Sequence, residues 1–121
     1  VNKTRRKAIS DLSTLVSSLI GDLQNEDPEV SWPDTKSAID GHHSTAEGIR
    51  DEEQEYLDNM PEGLKNSEKG ENAQNAITAL ETAMDKLEEA ATAADDDAPD
   101  MEEVTGALQE AQDSLDEAEG Y

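Results

Sequence analysis

Thirty-one of the 121 residues are Asp or Glu, and these are the side chains whose number and spacing could carry chemistry. Carboxylates serve as general acids or bases, as metal ligands, or as fixed negative charge laid against a basic surface. The first use needs a distinguished pair in a shaped pocket, and here acids stand so densely that no pair is distinguished. The two histidines, His42 and His43, have Asp40 and Glu47 within helical reach. Adjacent helical residues point about 100° apart, however, and a metal site wants three or four convergent ligands. The run Asp95 to Asp97 lacks the alternating ligands and the Gly of an EF-hand loop, so it reads as helix capping. There is no Cys, and no Gly-rich phosphate loop, GxSxG elbow or HExxH occurs. The residues therefore read as non-enzymatic, with no metal and no cofactor expected.

Fixed charge is the remaining use. The formal net charge is -22 and the sequence pI is near 4.1, which excludes a nucleic-acid binder of the ordinary basic kind. The charge is one-sided along the chain: residues 1–24 hold two acids and four bases, residues 25–60 eleven and two, residues 61–121 eighteen and three. Glu81, Asp85, Glu88 and Glu89, and then Glu103, Glu110, Asp113 and Glu117, recur at helical neighbour spacing, with Asp51, Glu52, Glu53 and Glu55 as a third group. Like charges at such spacing repel by a few tenths of a kcal/mol per pair, so this surface is not optimised for the monomer's own stability. Three explanations compete: a solvated face that confers solubility, adaptation to a high-salt cytoplasm, and a surface presented to a basic partner. Carboxylates four apart on a helix lie about 6 Å apart along its axis. Duplex DNA shows a phosphate every ~3.4 Å on each strand, so acids on two adjacent helices approximate the spacing and sign of its backbone. On the third reading these twelve acids are the partner-binding residues.

The elements that would position them are helices. Leu, Ile, Val and Phe make up only 19 of the 121 residues, which with this charge warns of disorder unless periodicity organises them. Ile9, Leu12, Val16, Leu19 and Leu23 alternate by threes and fours over residues 3–24, with Ala8, Leu15 and Ile20 widening the stripe. The bases Lys3, Arg5, Arg6 and Lys7 at its start oppose the helix dipole and cost stability unless an acidic segment lies over them. The segment Asn25 to Pro33 carries two prolines and breaks the helix. Ser31, Pro33 and Asp34 then signal a second start, for a weaker helix over 32–59 with Ile39, His42, Ala46, Ile49, Glu53, Tyr56 and Met60 on its seam and Gly41 and Gly48 inside. A turn is expected from Asn59 to Gly70. Helix 68–94 carries the clearest repeat, Ala73, Ile77, Leu80, Met84, Leu87, Ala91 and Ala94. Helix 99–118 follows after Pro99, with Met101, Val104, Leu108, Ala111, Leu115 and Ala118.

The expected fold is all-α: one domain over residues 1–121, a small helical bundle with a C-terminal antiparallel coiled-coil hairpin. Its Ala-rich seam buries little area, so a homodimer is expected, with Ile77, Leu80, Met84, Leu87, Leu108 and Leu115 as the oligomer seam. No apolar run suffices for a membrane span and no signal-peptide pattern occurs. The reading is a soluble cytoplasmic protein whose first residue follows a removed Met or a vector junction. Trp32 reads either as a lid over the bundle end or as an exposed anchor, since Trp is enriched in hot spots. Contact of residues 3–7 with nucleic acid or lipid is a minor alternative.

The segment DEEQEYLDNMPEGLKNSEKGENA from Asp51 to Ala73, with AITALETAMDKLEEA from Ala76 to Ala90, resembles short uncharacterised proteins of bacteriophages and bacteria. The resemblance implies a phage or mobile-element setting and, in that case, a host cytoplasm; it implies no activity. In size and charge the chain is also similar to small acidic phage proteins that block host defence enzymes by imitating DNA. The expected function is thus a non-enzymatic DNA mimic that occludes a basic nucleic-acid-binding surface of a host protein, with no direct nucleic-acid or membrane contact. The alternative is a structural or assembly coiled coil whose acids only solubilise.

Overall fold

The computed structural model describes residues 1–25 and 31–121. Its elements are α1 (Lys3–Gln24), α2 (Trp32–Asp58), the single-turn α3 (Glu62–Lys65), α4 (Glu68–Ala94) and α5 (Met101–Glu119). Of the break expected over Asn25 to Pro33, residues 26–30 lie outside the described residues. Local chemistry accounts for the starts. Asn2 accepts from the Arg5 N–H at 2.8 Å, Ser31 from the Asp34 N–H at 3.4 Å with Pro33 in the first turn, and Asp100 from the Glu102 N–H at 2.9 Å. Each satisfies a donor that the helix itself leaves unpaired. Ser67 before α4 makes no such side-chain bond. There the chain turns tightly: the Lys65 and Leu64 carbonyls press so close to Gly70 that a Cβ at that position would collide with backbone.

The four long helices alternate in direction. Trp32 and Lys36 at the start of α2 lie beside Ala94 and Asp95 at the end of α4, and Gln54 and Asp58 beside Gly70 and Gln74 at its start. Helix α4 packs along both α2 and α5, while α1 packs on α5 and, more sparsely, on α2, diagonal to α4. The central position of α4 explains its composition. Ala73, Ala76, Ala79, Ala83, Ala90 and Ala94 are buried, and small side chains let two neighbours approach one helix closely.

That burial is broader than a narrow seam, and it lies within one chain. Ile77, Leu80, Leu87, Leu108 and Leu115 are fully buried within a single chain, and Met84 packs half-buried against the same core. Helices α1 and α2 supply the cover that a second copy was expected to supply: Ile9, Leu12, Val16, Ile20, Leu23, Ile39, Ala46 and Ile49 join the same cluster. Leu15 departs from the expected α1 stripe and is 52% exposed. Trp32 lies half-buried against the core at the bundle end, in the place of a lid.

The antiparallel order also resolves the unfavourable basic start of α1. Helices α2 and α5 have no basic residue in their last turns, and their C-terminal ends lie beside the start of α1. Arg5 reaches Glu53 on α2, and Arg6 Nε donates to the Glu119 carbonyl of α5 at 3.0 Å. Cations set against two negative helix ends offset what they cost at the positive end of their own helix.

Candidate interaction surface

Two places concentrate polar chemistry. The first is an open groove of about 550 Å³ between α4 and α5, lined by Asp85, Glu88, Glu89, Thr92, Ala93, Asp96 and Glu103. Asp85, Glu88 and Glu89 follow one another on the outer face of α4, Asp96 stands in the connection and Glu103 in the first turn of α5. The short α4–α5 connection folds Glu103 back over the end of α4, so five carboxylates from three local contexts share one concave surface. No Lys or Arg is among the described lining residues. The nearest relief on α4 is Lys86, whose Nζ bridges Glu89 at 3.2 Å and Glu110 on α5 at 3.0 Å. Those partners hold the Lys86 ammonium above its ordinary range, with Glu110 the larger influence.

The remaining expected acids do not join the groove. Glu81 is exposed on α4; Asp113 accepts from Gln109 Nε2 at 3.2 Å and Glu117 from the Tyr121 hydroxyl at 3.4 Å, both on the exposed side of α5. Asp51, Glu52 and Glu55 are exposed near the end of α2, at the opposite end of the bundle from the groove. Asp51 accepts from the neighbouring Arg50 Nε at 2.8 Å. Asp96, read from the sequence only as part of a capping run, is the groove residue that the acid spacing missed. Its place in a short connection between two acidic helices was the available signal.

Glu53 corrects the expected set. It is 0% exposed, so it offers nothing to a partner in this conformation. It forms the second polar centre: Arg5 Nε donates to Glu53 Oε2 at 2.7 Å, and the Arg5 guanidinium lies 5.2 Å from the Tyr56 ring centroid. Glu53 Oε1 faces the Val1 nitrogen at 3.5 Å, but it and Arg5 Nη2 make no hydrogen bond among the described residues. The heptad through Ile49, Glu53 and Met60 put this acid on the buried side, and that periodicity outweighs its acidic neighbours in sequence.

The histidines are not part of either centre. His42 is half-buried on α2, and burial pushes its imidazole below the usual range. His43 Nδ1 stands 4.0 Å from Glu47. Among the described residues no three His, Cys, Asp or Glu side chains are grouped to hold a metal ion, and no helix is long and apolar enough to cross a membrane. No protein family, curated protein or solved structure matches the chain.

Proposed function

We propose that this is a non-enzymatic, acidic interaction protein whose α4–α5 groove engages a basic, nucleic-acid-binding surface of another protein in the manner of a DNA mimic. The observation that carries the reading is the set of five carboxylates, Asp85, Glu88, Glu89, Asp96 and Glu103, on one concave surface without a lining cation. Such a surface focuses negative potential outward and steers a cationic partner, giving fast and salt-sensitive association. The reading needs no second copy, since the chain covers its own apolar seam. The competing reading, an assembly protein whose acids only solubilise, makes the position of the charges irrelevant.

The test is retention of a basic protein from a nuclease-treated bacterial lysate on the immobilised chain, over a salt series and against duplex DNA. Reversing Asp85, Glu88 and Glu103 to Lys should abolish retention, and reversing Glu52 and Glu55 at the far end should spare it. Equal loss from both sets would reduce the effect to overall charge. No retention by the unaltered chain, with helicity intact, would leave the acids as a solubilising coat.

A further inference from the structure

We infer that α1 is a latched lid: it opens as a unit from a still-folded α2–α4–α5 remainder, and the Arg5–Glu53 pair is its latch. The inference is independent of the acidic groove and rests on how α1 is held. Helix α4 is gripped along two sides, by α2 and α5, whereas α1 has one extensive interface, with α5, and a sparse one with α2. Among the described residues its polar ties to α2 and α5 are few: Arg5 to Glu53, Arg6 to the Glu119 carbonyl, and Ser13 Oγ donating to Asp116 at 2.6 Å. Two of these three sit in the first turn.

The latch is also a costly one. Both charges are withdrawn from water, Arg5 to 11% side-chain exposure and Glu53 to none, yet Arg5 Nη2 and Glu53 Oε1 lack hydrogen bonds among the described residues. A buried ion pair returns its desolvation cost only when its remaining donors and acceptors are met. Opening restores water to both ions, so separation of α1 costs less than separation of an apolar interface of equal area. Among the described residues the salt bridge of Arg5 is with Glu53 alone, and both Glu53 and the Tyr56 ring beside Arg5 stand on α2, so these contacts set where α1 re-docks along it. The open state uncovers the apolar faces of α2 and α5 on which Ile9, Leu12, Val16 and Ile20 rest. A lid of this kind makes that face conditional, shown or hidden according to the state of one ion pair.

Native-state hydrogen exchange on the full chain tests the inference, because sub-global opening gives one segment lower protection than global unfolding gives another. The amides of Leu12 and Val16 should be at least about tenfold less protected than those of Leu80 and Leu87. Two variants separate a lid from a uniformly weak bundle. Gly48→Ala strengthens α2, which is intact in both the closed and the lid-open states, and a Cβ there meets nothing within 4 Å. It should therefore raise Leu80 and Leu87 protection about threefold to fivefold and leave Leu12 and Val16 unchanged. Glu53→Gln breaks the latch and should lower α1 protection by tenfold or more. Equal protection of the two helices in the unaltered chain, or a Gly48→Ala gain shared by α1 and α4, would overturn the lid. Unchanged α1 protection in Glu53→Gln would overturn the latch. Should Glu53→Gln not fold, the unaltered chain and Gly48→Ala still decide whether α1 opens separately.

Discussion

Arg5 and Glu53, 48 positions apart, meet at 2.7 Å at the end of the bundle where α1 begins and α2 is about to finish. A carboxylate from the most acidic stretch of α2 is thereby taken out of water by a base that is unfavourable for its own helix. The two misplacements compensate each other, and their meeting defines the register of α1 on α2. Removing Glu53 leaves Arg5 buried without its carboxylate, and removing Arg5 leaves Glu53 buried with only the more distant Val1 nitrogen at 3.5 Å. Arg5→Met or Glu53→Gln should each destabilise the fold by about 3 kcal/mol, and Arg5→Met with Glu53→Leu by much less than the sum. Urea unfolding of the two singles and the double checks this, and additive losses would show that the two side chains do not act as a pair.

Three glycines in helices should respond in opposite directions. Gly41 and Gly48 on α2 have open space where a Cβ would go, so Ala at either should stabilise by up to about 1 kcal/mol. Gly70→Ala would drive a methyl group into the Lys65 carbonyl and should destabilise by more than the propensity gain. Thermal melts of the three single variants decide the matter; a stabilised Gly70→Ala would show that the α3–α4 turn is looser than described.

His42 predicts a pH dependence. Burial lowers its folded-state value, so the unfolded chain binds the proton more readily. Stability should be full above the ordinary imidazole value of about 6.5 and fall as pH drops below it, until the folded-state value is passed. His42→Gln should flatten the curve in that window. An unchanged slope between pH 7 and 5.5 in the variant would assign the effect elsewhere.

Salt should stabilise the fold. At a net charge of -22 the compact chain repels itself, and a rise in ionic strength from about 10 mM to about 150 mM shortens the screening length from about 30 Å to about 8 Å. A gain of roughly 1 kcal/mol, or about 4 °C in Tm, is expected. A fall in Tm over the same range would mean that the attraction of α1 for the acidic remainder outweighs repulsion within it.

What the sequence by itself determined is helical and local. The three-and-four spacing of Ile9, Leu12, Val16 and Leu23, the Ser31–Pro33–Asp34 start and the Asp100 cap act within a few residues of themselves, so they are legible without knowing what lies opposite. The surplus of acid and its bias toward the later helices are equally plain in the chain. Only the tertiary structure decided which faces meet. A heptad of Ala and Leu specifies that a surface must be covered, not whether the cover comes from the same chain, and here Ile9, Val16, Ile39 and Ile49 of α1 and α2 join Leu80, Leu87, Leu108 and Leu115 in one cluster. Acid spacing along one helix likewise cannot show that Glu103 and Asp96 fold back beside Asp85, or that Glu53 is withdrawn from its exposed neighbours to meet Arg5. Each of these depends on a partner distant in sequence, and the energy of burying a charge is set by that partner rather than by the residue itself.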